Sequence, residues 1–69
     1  MGALRTFRIV LSLPDPKTEF YTRPIVALGP DSVMIQEIIS VIDATQTPHG
    51  LRVSRIEEHN DETNEWSLV

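Results

Sequence analysis

The sequence predicts a small α+β domain of β-β-α-β-β order, in which one helix packs on one face of a three- or four-stranded, mainly antiparallel sheet. Three observations carry this prediction. Apolar and polar residues alternate near the N-terminus, isoleucines recur at helical spacing in the middle, and a second alternating stretch precedes a polar turn near the C-terminus. With 69 residues, positions 1–69 make a single domain.

The first predicted strand is LRTFRIVLSL, residues 4–13. One face carries Phe7, Ile9, Leu11 and Leu13, and the other carries Thr6, Arg8, Val10 and Ser12. This period of two is typical of a half-buried strand. The following PDPKT contains two prolines and Asp15, so we expect a turn there.

The second predicted strand is EFYTRPIVAL, residues 19–28, and it forms a hairpin with the first. Its apolar residues do not select one face. Pro24 has no backbone N–H to donate to a ladder, so it predicts an edge position or a bulge.

A helix is predicted to begin after GPDS, residues 29–32, and to end near Thr45. Asp31 or Ser32 can cap its first turn. The residues expected to face the sheet are Ile35, Ile38, Ile39 and Ile42. Val33, Met34 and Val41 extend the apolar arc beyond what one small sheet face needs. Either they form a partner surface, or the helix sinks deeply into a curled sheet.

A third strand is predicted in LRVSRIEE, residues 51–58, and a fourth in EWSLV, residues 65–69. Ile56 is out of phase with Leu51 and Val53, which indicates a bulge or a twist. HNDETN between the strands has the composition of a turn, and Trp66 is expected to anchor the core.

The stretch RIEEHNDETNEW, residues 55–66, looks most like a chemical site. It holds one histidine, whereas zinc and iron sites need several imidazole or thiolate ligands. It also lacks the glycine of a calcium loop. Neither His49 nor His59 stands beside an activated nucleophile. We therefore expect a solvated turn, with no catalytic residue, metal or cofactor. Its charge is expected to attract a basic partner through Glu57, Glu58, Asp61 and Glu62.

Arginines on neighbouring strands suggest an alternative site. If they share the open sheet face, an anionic, nucleotide-like ligand is expected to contact Arg8, Tyr21, Arg23, Arg52 and Arg55. The competing possibility is cross-strand pairing of the arginines with Glu19, Glu57 and Glu58.

The net charge of −4 is uneven: +2 over residues 1–23, −3 over 24–50 and −3 over 51–69. This balance argues against nucleic-acid binding, because contact with the phosphate backbone would be mostly repulsive. No apolar run approaches the roughly 18 residues of a membrane span. There is no cysteine, and the three glycines are isolated, which excludes disulfides and a glycine-rich phosphate loop. Gly2 fits a myristoylation signal only loosely. We expect a cytoplasmic location.

These observations favour a small non-catalytic protein-binding module, expected to form a homodimer. Its composition resembles that of virus-encoded inhibitors and small accessory subunits, which is an analogy of composition alone. The alternative is a binder of a small anionic ligand. A chain of this length buries only about 60% of its unfolded surface, so a partner would also add stability.

Overall fold

The computed structural model of the chain describes residues 3–69, and Gly2 with its lipidation pattern lies outside them. The elements in order are β1 (Arg5–Pro14), β2 (Lys17–Tyr21), β3 (Ile25–Ala27), α1 (Val33–Gln46), a short 3₁₀ turn (Thr47–His49), β4 (Arg52–Asn60) and β5 (Glu65–Leu68). The helix separates two sets of antiparallel strands, so the α+β class and the β-β-α-β-β order are confirmed.

The sheet is built around β1, its longest strand. β4 pairs with one edge of β1, and β5 pairs with the far edge of β4. The other edge of β1 is shared, because β2 pairs with residues 10–14 and β3 with residues 5–7. The predicted second strand is therefore two short strands in one row.

The break between β2 and β3 falls at Thr22–Pro24. There the Thr22 N–H donates to the Ile9 carbonyl at 3.1 Å, and the Thr22 hydroxyl accepts from the Ile9 N–H at 3.0 Å. Thr22 alone thus satisfies both backbone groups of Ile9, beside a proline that has no N–H. The interruption predicted from Pro24 is confirmed.

The irregularity predicted near Ile56 is a bulge in β4. Val10 pairs with Arg55, and Leu11 pairs with Val53, which leaves Ser54 as the extra residue. A bulge moves the following residues by one step in the alternation. Val53 and Ile56, three residues apart, therefore both pack against the core.

The helix begins as the sequence predicts, and Ser32 rather than Asp31 supplies the cap. The Ser32 hydroxyl accepts from the Ile35 N–H at 3.4 Å. Ile35 is fully buried and forms the core with Phe7, Ile9 and Ala27, while Ile38, Ile39 and Ile42 pack around it. Burial stabilises the fold by about 1.5–3 kcal/mol for each fully buried large side chain.

Within residues 3–69, no helix has the length and apolar character needed to cross a membrane.

Candidate binding surfaces

The sheet face opposite the helix has a small apolar centre at Val10. Val10 alternates with Ile9 along β1 and is fully buried, although α1 covers the other face. Its cross-strand neighbours are Tyr21 on one side and Arg55 on the other. Directly opposed residues on antiparallel strands bring their side chains into contact. Tyr21 and Arg55 therefore cover Val10 in place of a helix.

Arg8 lies at the middle of this open face. Its guanidinium carbon is 4.1 Å from the centroid of the Tyr21 ring and 4.3 Å from that of the Trp66 ring. Tyr21 belongs to β2 and Trp66 to β5, two strands that do not pair with each other. The expectation that Trp66 anchors the core is wrong: its ring is held over Arg8 on the open face, because Trp66 pairs with His59 rather than with a core residue.

Glu57 joins two of the arginines. The carboxylate accepts from Arg8 Nε at 2.8 Å through one oxygen and from Arg55 Nε at 3.0 Å through the other. Arg55 also donates to Glu19 at 2.6 Å. The Glu57 residue is only 8% exposed, so its charge is largely removed from water and is balanced by two cations.

A separate pair joins Arg5 and Glu58. Arg5 Nε donates to Glu58 Oε2 at 2.7 Å, and a second guanidinium nitrogen donates to Oε1, so the pair is bidentate. Together with the bonds of Glu19 and Glu57, this is the cross-strand pairing considered as the competing possibility. Glu57 and Glu58 are therefore bound to arginines of the same chain.

These contacts shift the pKa values of the carboxyl groups. Burial raises the pKa of Glu57, whereas the hydrogen bonds from Arg8 and Arg55 lower it. The lowering effects together exceed the effect of burial, so the pKa of Glu57 is below its usual value. The Arg55 hydrogen bond lowers the pKa of Glu19, and the Arg5 hydrogen bond lowers that of Glu58. All three carboxyl groups stay ionised at neutral pH, and their negative charges are balanced by the arginines that they contact.

The other two candidates for anion binding are placed differently. Arg52 lies opposite Ser12 in the ladder, and Arg23 lies in the gap between β2 and β3. Both are exposed, and no ion pair within residues 3–69 involves either of them. The structure therefore brings Arg8, Tyr21 and Arg55 together. The guanidinium groups of Arg8 and Arg55, however, already donate hydrogen bonds to Glu57 and Glu19.

The hairpin tip that follows β4 satisfies its own polar groups. The Asn60 side chain accepts from the backbone N–H groups of Glu62 and Thr63, and Asn64 has a positive φ of 59° that asparagine tolerates. His59 lies 2.9 Å from Asp61 through Nδ1 and 2.9 Å from Asn64 through Nε2. The hydrogen bond with Asn64 and that with Asp61 raise the pKa of His59. The polar turn predicted from HNDETN is confirmed over residues 61–64, whereas His59 and Asn60 form the end of β4.

The outer helix face, which we define as Val33, Met34, Glu37 and Val41, faces away from the core. Val33 is 73% exposed, Met34 46% and Val41 61%. The helix therefore does not sink into the sheet far enough to cover them. Two shallow hollows, of about 310 and 530 Å³, flank this face, and Glu37 and Val41 line both.

A further apolar groove lies between the helix and the C-terminal end of the chain, and sequence reasoning missed it. It has a volume of about 500 Å³, and its apolar lining consists of Pro30, Ile39, Val53, Ile56, Leu68 and Val69. The available signal was the apolar end of EWSLV, where Leu68 ends β5 and Val69 follows it. It was not informative, because a terminal apolar residue is as compatible with a core position as with a groove wall.

Comparisons with known proteins find no matching family model, no similar curated protein and no similar solved structure. The fold and surfaces therefore define the chain by architecture alone. It is a small α+β domain in which arginines and glutamates pair with each other on the open face of the sheet. Its helix has apolar residues both on the side that packs on the core and on the outer helix face.

Proposed function

We propose that the chain is a small non-catalytic binding module that docks on another protein through the outer helix face. The observation that supports this best is the exposure of Val33, Met34 and Val41 on a single 14-residue helix. Exposed apolar side chains at helical spacing match the way an amphipathic helix enters a groove on its partner. Single exposed apolar residues are ordinary, whereas three along one helix form a patch.

The other residues predicted for partner binding fall into two groups. Glu57 and Glu58 are bonded to arginines, so we leave them out of the proposed surface. Asp61 and Glu62 are exposed at the hairpin tip and keep the proposed role of attracting a basic partner. A cytoplasmic location, a homodimer and an inhibitor-like or accessory role all stay predictions.

Two variants test the docking surface. Val41→Asp puts a charge into the centre of the outer helix face, and Val26→Asp makes the same change at an exposed valine of β3, outside that face and lining neither hollow. With both as baits beside the wild type, a protein captured by the wild type and Val26→Asp should be lost with Val41→Asp. Circular dichroism checks that both variants fold. A monomeric wild type whose captured proteins are the same for all three baits contradicts the proposal.

The alternative of a small anionic ligand on the open face has weaker support. A ligand at Arg8 or Arg55 would have to displace Glu57 or Glu19, at 2.8 and 2.6 Å. A thermal shift with nucleotides that Arg55→Ala abolishes, while captured partners are unchanged, would favour this alternative over the docking proposal.

A further inference from the structure

The charged side chains that lie outside the ion pairs of the sheet are mostly acidic. The chain has six basic and ten acidic side chains, and three of each are joined as Arg5–Glu58, Arg8–Glu57 and Arg55–Glu19. Three basic and seven acidic side chains stay outside these pairs. The three bases, Lys17, Arg23 and Arg52, all belong to the strands or the gap between them. None of these three bases lies within residues 24–50, the part of the chain that contains the helix.

The sequence around the helix shows the same imbalance directly. Residues 24–50 contain Asp31, Glu37 and Asp43 and no lysine or arginine. All three acids are exposed. Glu37 lies within the outer helix face, and it lines both hollows together with Val41. The surface thus combines apolar side chains with the Glu37 carboxylate, and no salt bridge within residues 3–69 involves that group.

We propose that the occupant of the outer helix face is a cationic amphipathic helix of a partner protein; this inference rests on the function proposed above and specifies the partner. Its apolar residues would cover Val33, Met34 and Val41. Its lysines or arginines would lay their methylene stems over the hollows and bring their charged ends to Glu37 and Asp31.

A second copy of the chain fits this surface less well. Two identical helices packed through the same face would bring Glu37 toward Glu37 of the other copy, with Asp31 and Asp43 adding to the repulsion. A stable interface also buries about 800 Å² on each partner. An isolated stripe of three apolar residues does not supply that area without further contacts, and the neighbouring acids would oppose them.

Binding of two synthetic peptides tests the inference. Both carry leucine at helical spacing, and the remaining positions are lysine in one and glutamate in the other. The lysine peptide should bind the folded protein and shift the amide resonances of residues 33–44, whereas the glutamate peptide should not bind. Glu37→Gln should lower the affinity for the lysine peptide by about two- to fivefold, the range expected for the loss of an exposed ion pair. Val41→Ser should weaken it by about fivefold or more.

Glu62→Gln is the matched control, because it removes the same charge from the hairpin tip. It should leave peptide affinity unchanged. Equal losses for Glu37→Gln and Glu62→Gln would mean general attraction to an acidic protein and would overturn the inference. A wild-type dimer that Val41→Asp dissociates would identify a second copy as the occupant. If Val41→Asp loses a captured partner but the lysine peptide binds no better than the glutamate peptide, the proposed function holds and this inference fails.

Discussion

The two faces of the sheet are closed by different physical means. Under α1, the core of Phe7, Ile9, Ala27 and Ile35 excludes water by apolar packing alone. On the open face, Val10 is equally buried, but the cover consists of Tyr21 and Arg55, beside the Arg8–Glu57 pair. A protein of this size has one helix to cover two faces. The second face is closed with long side chains whose charges cancel, so it stays compatible with water.

The largest difference between the faces should appear on truncation of the core. Phe7→Ala removes a fully buried ring and should lower the free energy of unfolding by about 3–5 kcal/mol. Small domains have a total of about 5 kcal/mol or slightly more, so the variant should be largely unfolded. Urea denaturation followed by circular dichroism measures this. The exposed Val41→Ala is the control and should unfold near the wild-type midpoint. A folded Phe7→Ala would mean that the core under the helix is not the main source of stability.

A smaller loss is expected from breaking the charge network. Glu57→Gln keeps the shape of the side chain but leaves Arg8 and Arg55 without their shared anion. The free energy of unfolding should fall by about 1.5–3 kcal/mol, the scale for hydrogen bonds to charged groups. Urea denaturation at low and high salt measures it, and the wild type should lose more stability with salt than the variant does.

Glu58→Gln is the companion variant for that comparison. It breaks the more exposed pair with Arg5 and should cost less than Glu57→Gln. Equal losses for the two variants would show that burial of Glu57 does not strengthen its pairing.

The smallest expected effect is a pH dependence at the hairpin tip. The pKa of His59 is raised in the folded chain by Asn64 and Asp61, above the roughly 6.5 of an unfolded chain. The stabilisation is therefore complete below that pH and is lost as the pH rises through the folded-state pKa. Thermal unfolding measured from mildly acidic to mildly alkaline pH should show this loss, and NMR titration of the His59 ring gives the pKa.

Asn64→Gly tests its cause, because glycine keeps the positive φ and removes the acceptor. The pKa of His59 should fall in this variant. An unchanged pKa would assign the shift to Asp61 alone.

The contrast between the faces also explains how far the sequence could be interpreted. Phe7, Ile9 and Ile35 were predictable because they are apolar residues repeated at the period of their own element. The helix boundaries followed from Ser32 and Pro48 in the same local way. Nothing in these predictions depends on which strand is the neighbour.

The side-chain contacts on the open face depend on the register between paired strands, and the local sequence pattern of one strand does not determine that register. Ser54 is the extra residue that sets Arg55 opposite Val10 and Glu57 opposite Arg8. The sequence does not show which residue forms the bulge. It is therefore also compatible with a different register, in which Glu57 lies in a solvated turn. Trp66 was misplaced for the same reason: its neighbours on the open face are fixed by pairing across strands rather than by its hydrophobicity.

Arg8 has a consequence for how the sheet comes apart. Its guanidinium touches rings from β2 and β5, the first and last strands of the ladder, which share no backbone hydrogen bond. Opening either outer strand therefore removes a contact of the same side chain. The two hairpins are coupled, and their amide protons should exchange with solvent as one cooperative unit instead of fraying independently.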